Sequence, residues 1–149
     1  MPRMRQFRIR ELLNSVSSLM AEQARAHKVS LETRCQPETL ELQADPDLLE
    51  QALINLLRNA IEASAELDRP RVAITAELKE RGRVELSVTD NGSGIEPENL
   101  ENIFIPFFTT KRGGSGIGMS IVKQIVKLNG GKVKVLSTPG VRTSVVISF

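Results

Sequence analysis

DPDLLEQALINLLRNAIE, residues 45–62, is the stretch on which the fold turns. Asp45-Pro46 offers a side-chain cap and a proline suited to the first helical position. Leu48, Leu49, Ala52, Leu53, Leu56, Leu57, Ala60 and Ile61 then share one broad apolar face, which predicts a long helix with much surface to bury. Beside that face Asn55, Asn59 and Glu62 follow at intervals of four and three residues and form a polar stripe.

Upstream, Ile9, Leu12, Leu13, Val16, Leu19 and Met20 recur at helical spacing, so a second amphipathic helix is expected from about Arg8 to His27. Val29, Leu31, Thr33 and Cys35 alternate with polar neighbours, as do Leu40, Leu42 and Ala44, which reads as two short strands joined by a turn at Gln36-Pro37. Downstream of Pro70, Val72 to Leu78 and Val84 to Val88 alternate on either side of Arg81-Gly82, an antiparallel hairpin expected near the middle of a sheet. Periodicity is lost over residues 91–115, which are rich in Gly, Asn, Thr and Ser and too long for an ordinary connection. This segment is expected to be a lid. Ile117, Ile121, Val122, Ile125, Val126 and Leu128 restore the helical period, Asn129-Gly130-Gly131 suits a left-handed helix end, and strands at about Lys132 to Ser137 and Arg142 to Phe149 close the chain. The order of elements predicts an α+β two-layer sandwich, in which three helices cover one face of a mixed, mostly antiparallel sheet.

The 149 residues suit one domain, residues 1–149. A net charge of +2 from 20 basic and 18 acidic residues, scattered along the chain, points to neither nucleic acid nor direct membrane contact. Cys35 is the only cysteine, so an internal disulfide or a thiolate-rich zinc site is excluded, in keeping with a reducing, cytoplasmic compartment. No signal-peptide core follows Met1, and no apolar run is long enough to span a bilayer.

Three stretches are candidates for chemistry. The Asn55, Asn59 and Glu62 stripe offers hard oxygen donors of the kind Mg²⁺ takes alongside phosphates and water, although the same spacing describes a solvated helix face. Asp90-Asn91-Gly92-Ser93-Gly94-Ile95 follows a strand. Its carboxylate can accept from an adenine amine while Gly92 and Gly94 let backbone approach the base, and equally the sequence is favoured β-turn chemistry. Gly113-Gly114-Ser115-Gly116-Ile117-Gly118 opens a helix whose amides can receive phosphates, and Lys111 and Arg112 could neutralise them in a closed lid, although basic residues in loops are usually just solvated. It follows a loop and lacks the Gly-Lys-Ser/Thr end of a P-loop, so neither a Rossmann turn nor a Walker motif fits. Phe104-Ile105-Pro106-Phe107-Phe108 concentrates aromatic residues in the polar lid, either as an anchor onto the core, as a docking patch, or as plain packing.

Taken in order, Asn55 to Ala63, Asp90 to Ile95, Phe104 to Phe108 and Gly113 to Gly118 resemble the N, G1, F and G2 boxes of sensor histidine kinases. The resemblance covers about Phe7 to Phe149 and implies the catalytic ATP-binding domain with its Bergerat fold. Asn-Ala-Ile-Glu-Ala and Phe-Thr-Thr-Lys are most similar to the nitrogen-regulation and dicarboxylate-sensor branch. It implies that Asn59 and Asn55 approach Mg²⁺ and the phosphates, that Asp90 binds the adenine amine, and that Gly92, Gly94, Gly114, Gly116 and Gly118 shape pocket and lid. Glu62, Ile95, Phe104, Lys111, Gly113, Ser115 and Ile117 complete the nucleotide-binding set, with Lys111 joining Asn55 and Asn59 in catalysis.

ATP-hydrolysing relatives carry a glutamate base where Asn55 stands, and an amide takes no proton at neutral pH, so ATP should be held for transfer rather than hydrolysed. Glu62 occupies a place where several kinases have a basic residue, which leaves more of the phosphate charge to Mg²⁺ and Lys111. His27, the only histidine, is followed by Lys28-Val29 rather than an acidic residue and is expected to be surface structure. The resemblance implies that the acceptor histidine lies on a separate dimerising helical hairpin, with a response-regulator aspartate downstream, and that the chain is a catalytic domain cut from a longer kinase or a stand-alone relative, which alone should bind ATP without phosphorylating itself. An anti-sigma-type serine kinase and a nucleotide-responsive binding module of the same fold are the rival readings.

Overall fold

A computed structural model describes residues 1–100, 102–105 and 118–149. In chain order the elements are β1 (Arg5–Arg8), α1 (Ile9–Ala26), β2 (Ser30–Gln36), β3 (Glu41–Ala44), α2 (Pro46–Ser64), β4 (Arg71–Leu78), β5 (Val84–Asp90), α3 (Gly118–Leu128), β6 (Lys132–Thr138) and β7 (Arg142–Ser148). Short 3₁₀ turns lie at Glu80–Gly82 and Pro97–Asn99.

Local chemistry sets most of these boundaries. Asp45 caps α2, its Oδ1 accepting the amides of Asp47 and Leu48 at 3.0 and 3.2 Å, and Pro46 sits where its missing N–H costs nothing. The β4–β5 connection turns through left-handed Arg81 and Gly82, at φ 61° and 72°. At the end of α3, Gly130 adopts φ 77° and the Gly131 amide reaches back to the Val126 carbonyl at 2.9 Å, so Asn129-Gly130-Gly131 stops the helix as its composition predicts.

Five strands form one sheet in the order β2-β4-β5-β7-β6. Only the β2–β4 pair is parallel, so the sheet is mixed and mostly antiparallel, with the expected hairpin at its middle. Val72, Ile74 and Ala76 of β4, Leu86 and Val88 of β5, and Val145 and Ile147 of β7 alternate onto the buried face. They meet Leu49, Leu53, Leu57 and Ile61 of α2, none of which retains any exposure. α2 packs against β4 and β5 and between α1 and α3, while α1 covers β2 and α3 covers β6. The architecture is the α+β two-layer sandwich of three helices on a five-stranded sheet. Among the described residues no helix is long and apolar enough to cross a membrane.

Two details depart from the sequence reading. The turn after Gln36 exists, but the strands on its two sides enter different sheets. β2 joins the main sheet, whereas β3 pairs antiparallel with β1, Arg5 opposite Ala44 and Arg8 opposite Glu41. β1 escapes a pattern search because it is four residues long with one buried side chain, Phe7. Leu19 and Leu128, counted with the apolar faces of α1 and α3, are about half exposed, at 57% and 50%.

Candidate functional site

Asp90 ends β5 with its side chain buried, and its Oδ1 accepts the Gly92 amide at 2.9 Å. The next residue faces the other way. Asn91 accepts the Arg71 amide at 2.8 Å and donates to the Arg69 carbonyl at 2.9 Å, closing the start of β4. Asn91 thus ties the loop to the start of β4, while Asp90 makes a turn bond to the Gly92 amide and stays on the inner face.

The segment beyond Asp90 is pressed between two elements. A Cβ at Gly92 would stand 2.5 Å from the Ala63 carbonyl oxygen, so only glycine lets the loop meet the last turn of α2. Gly94, at φ 76°, would bring a Cβ within 2.7 Å of the Thr138 carbonyl oxygen in the β6–β7 turn. Ile95 donates its amide to Ser137 Oγ at 2.7 Å, and the Gly140 amide donates to the Ser93 carbonyl at 2.6 Å.

Asn55 and Asn59 are half-buried on α2, while Glu62, one turn further on, is exposed. Gly118 opens α3 next to them, since a Cβ there would lie 3.9 Å from Asn59 Nδ2, in ordinary contact. Phe104 is half-buried and the Lys123 ammonium of α3 stands 5.5 Å from the centre of its ring. The second half of α2, the Asp90 loop and the beginning of α3 therefore adjoin one another. Lys111, Gly113, Gly114, Ser115, Gly116 and Ile117, with Phe107 and Phe108, lie outside the described residues.

Sequence reasoning missed two hydroxyls. Asp90 registers with Thr143 of β7, which registers with Ser137 of β6, so one row across three strands is polar where the rows below it are apolar. Thr143 is buried and its Oγ1 lies 3.1 Å from Ser137 Oγ. The signal was present: Ser137 continues the inward series Val133, Val135, and Thr143 begins the series Val145, Ile147. A polar residue at an inward position reads as a strand end until the partner strand is known. His27 is an exposed residue at the end of α1, as expected.

The arrangement brings a buried carboxylate, two carboxamides and the first turn of α3 together, groups able to accept from an amine, to offer oxygens to a hard cation and to donate amides to an anion. Residues 44–149 match the family of histidine kinase-, DNA gyrase B- and HSP90-like ATPases. Over 134 residues the chain is 39% identical to the sensor histidine kinase ZraS of Salmonella typhi, an alignment covering 89% of this chain and 28% of that protein. The C4-dicarboxylate transport sensor protein DctS of Rhodobacter capsulatus is 35% identical over 89% of this chain and 20% of its own length. The chain thus spans little more than a quarter of these curated relatives at most. Among solved structures, the catalytic domain of histidine kinase ThkA superposes with a TM-score of 0.88 at 33% identity, over 99% of this chain and 95% of that one. Full-length ShkA in complex with AMPPNP superposes at 0.90 with 28% identity, over 99% of this chain and 31% of that one. The chain belongs to the histidine kinase-, DNA gyrase B- and HSP90-like ATPases, as the catalytic ATP-binding domain of a sensor histidine kinase.

Proposed function

We propose that residues 1–149 form a single catalytic domain that binds Mg²⁺–ATP and donates the γ-phosphoryl group to a histidine on a separate helical hairpin, from which it passes to a response-regulator aspartate in the cytoplasm. The observation that carries this reading is the buried Asp90 carboxylate, held by the Gly92 amide in a loop that glycine alone allows to close on α2.

In this reading Asp90 accepts from the adenine amine, with Gly92, Gly94 and Ile95 lining the base. Asn55 and Asn59 turn their carboxamide oxygens to the metal and phosphates, and exposed Glu62 completes the hard-donor stripe through water. The donor set fits Mg²⁺, which keeps several waters and is held by few protein groups together with phosphate oxygens. Bound there, the ion would supply charge neutralisation on the transferred phosphoryl group. Lys111 and the glycines from Gly113 to Gly118 would be the groups that receive the phosphates, and Phe104, with the Lys123 ammonium of α3 5.5 Å from its ring centre, would border the base. Asn55, which cannot take a proton from water at neutral pH, leaves ATP intact until an acceptor arrives.

Calorimetric titration of ATP, with Mg²⁺ and then with EDTA, tests the proposal while hydrolysis is followed in the same samples. Metal-dependent binding without turnover is expected, and Asn59→Ala should remove most of the metal dependence. Rapid hydrolysis would contradict the role given to Asn55, and absence of binding the whole reading.

A further inference from the structure

We propose that Ser137 is a positioning residue for adenine recognition, acting through the Ile95 amide on the loop that carries Asp90. The inference rests on the ATP reading above and adds to it the residue that sets the loop's height over the pocket.

Three contacts join the Asp90 loop to the β6–β7 turn. Two of them, the Gly140 amide on the Ser93 carbonyl at 2.6 Å and the approach of Gly94 to the Thr138 carbonyl, are made by backbone. The third comes from a side chain: Ser137 Oγ accepts the Ile95 amide at 2.7 Å. A serine hydroxyl has one proton, and the two groups placed to take it are the Arg142 carbonyl and Thr143 Oγ1, each at 3.1 Å. Whichever takes it, the oxygen's lone pairs stay directed at Ile95. Four residues separate Ile95 from Asp90 along the loop, and within that span Gly92 is wedged on Ala63 and tied to Asp90 Oδ1. A shift at Ile95 is therefore passed to the carboxylate rather than absorbed. Thr143, opposite Asp90 on the neighbouring strand, ties Ser137 into the same polar row.

Ser137→Ala and Ser137→Thr test this in the full chain, with Asp90→Asn alongside. Removing the hydroxyl should weaken ATP binding about tenfold, the effect of one lost hydrogen bond to a preorganised loop. The Gly92 and Ile95 amide resonances should move while those of α1 stay in place, and thermal stability should fall little. Ser137→Thr, which keeps an acceptor for the Ile95 amide, should restore affinity to within about twofold of wild type. Unchanged affinity in Ser137→Ala overturns the inference, as does lost affinity with an unmoved Gly92 amide or a broad loss of stability. If Asp90→Asn also binds as tightly as the wild type, the ATP reading has failed and not merely the role of Ser137.

Discussion

Asp90 and Asn91 differ by one atom type and do opposite things, and the pair gives the sharpest test at the residue scale. Asp90→Asn keeps an oxygen for the Gly92 amide but loses the charge, and under the proposed ATP reading its new NH₂ group would meet the adenine amine with donor against donor. ATP affinity is expected to fall about 100-fold, in line with a charged hydrogen bond lost and an unmatched donor left behind, with a melting temperature close to wild type. Asn91→Ala removes the bonds to Arg71 and Arg69 at the surface. It should cost about 1 kcal/mol of stability, read as a melting shift of about 2–4 °C, and leave ATP affinity within about twofold of wild type. Calorimetry and thermal unfolding on the two proteins must give this crossed pattern; matching losses in both would mean the loop is only a turn. The sequence already contained Asp90, Gly92 and Gly94 as candidates, because strand-end carboxylates and glycines are visible one residue at a time. Ser137 and Thr143 stood at inward positions in the sequence, but their meaning depends on how β6 and β7 register beside β5.

Among the elements, α2 was read almost to its ends because its cap is local: Asp45, Pro46 and the following apolar positions lie in one continuous stretch. What the cap also does is non-local. Asp45 Oδ2 accepts the Arg3 amide at 2.7 Å, and the Asp45 amide donates to buried Asn129 Oδ1 at 2.7 Å, tying the chain before β1 and the end of α3 to the start of α2. The β1–β3 pair was missed for the same reason, since a four-residue strand with one inward side chain has no period to detect. The Arg3 amide above all, then those of Leu48 and Asp47, hold the Asp45 carboxyl below the usual carboxylate range, against the opposing effect of burial. A depressed value in the folded state means that the contribution is complete above the unfolded value of about 3.9 and is lost as pH falls through the lower, folded one. Asp45→Ala should therefore cost about 1–2 kcal/mol at pH 7, as a lost cap does, and the gap to wild type should narrow below about pH 4. Denaturant unfolding across that range checks it; a gap independent of pH would show that the shape of the side chain matters and its charge does not.

At the scale of the whole molecule, the proposed site draws on α2, the end of β5, the β6–β7 turn and the start of α3, elements spread over most of the chain but adjacent in the fold. A ligand that bridges them binds only the folded state and must stabilise it, by about 2.7 kcal/mol at 100 times the dissociation constant. For a chain of this size that is a rise in melting temperature of about 5–10 °C, expected with Mg²⁺–ATP, reduced with EDTA and cut to about 1 °C in Asp90→Asn. The same assembly limits what the chain does by itself. Its one histidine, His27, is an exposed residue that follows α1, outside the elements that form the site. Incubated with Mg²⁺–ATP the chain should gain no acid-labile phosphate. Added to a protein that presents an acceptor histidine on a helical hairpin, it should transfer phosphate at a rate proportional to its own concentration, equally well as His27→Gln. Loss of transfer in that variant would place His27 on the reaction path, and phosphate stable to acid would point to a serine acceptor instead, so the lability of the product separates the two kinase readings in one assay.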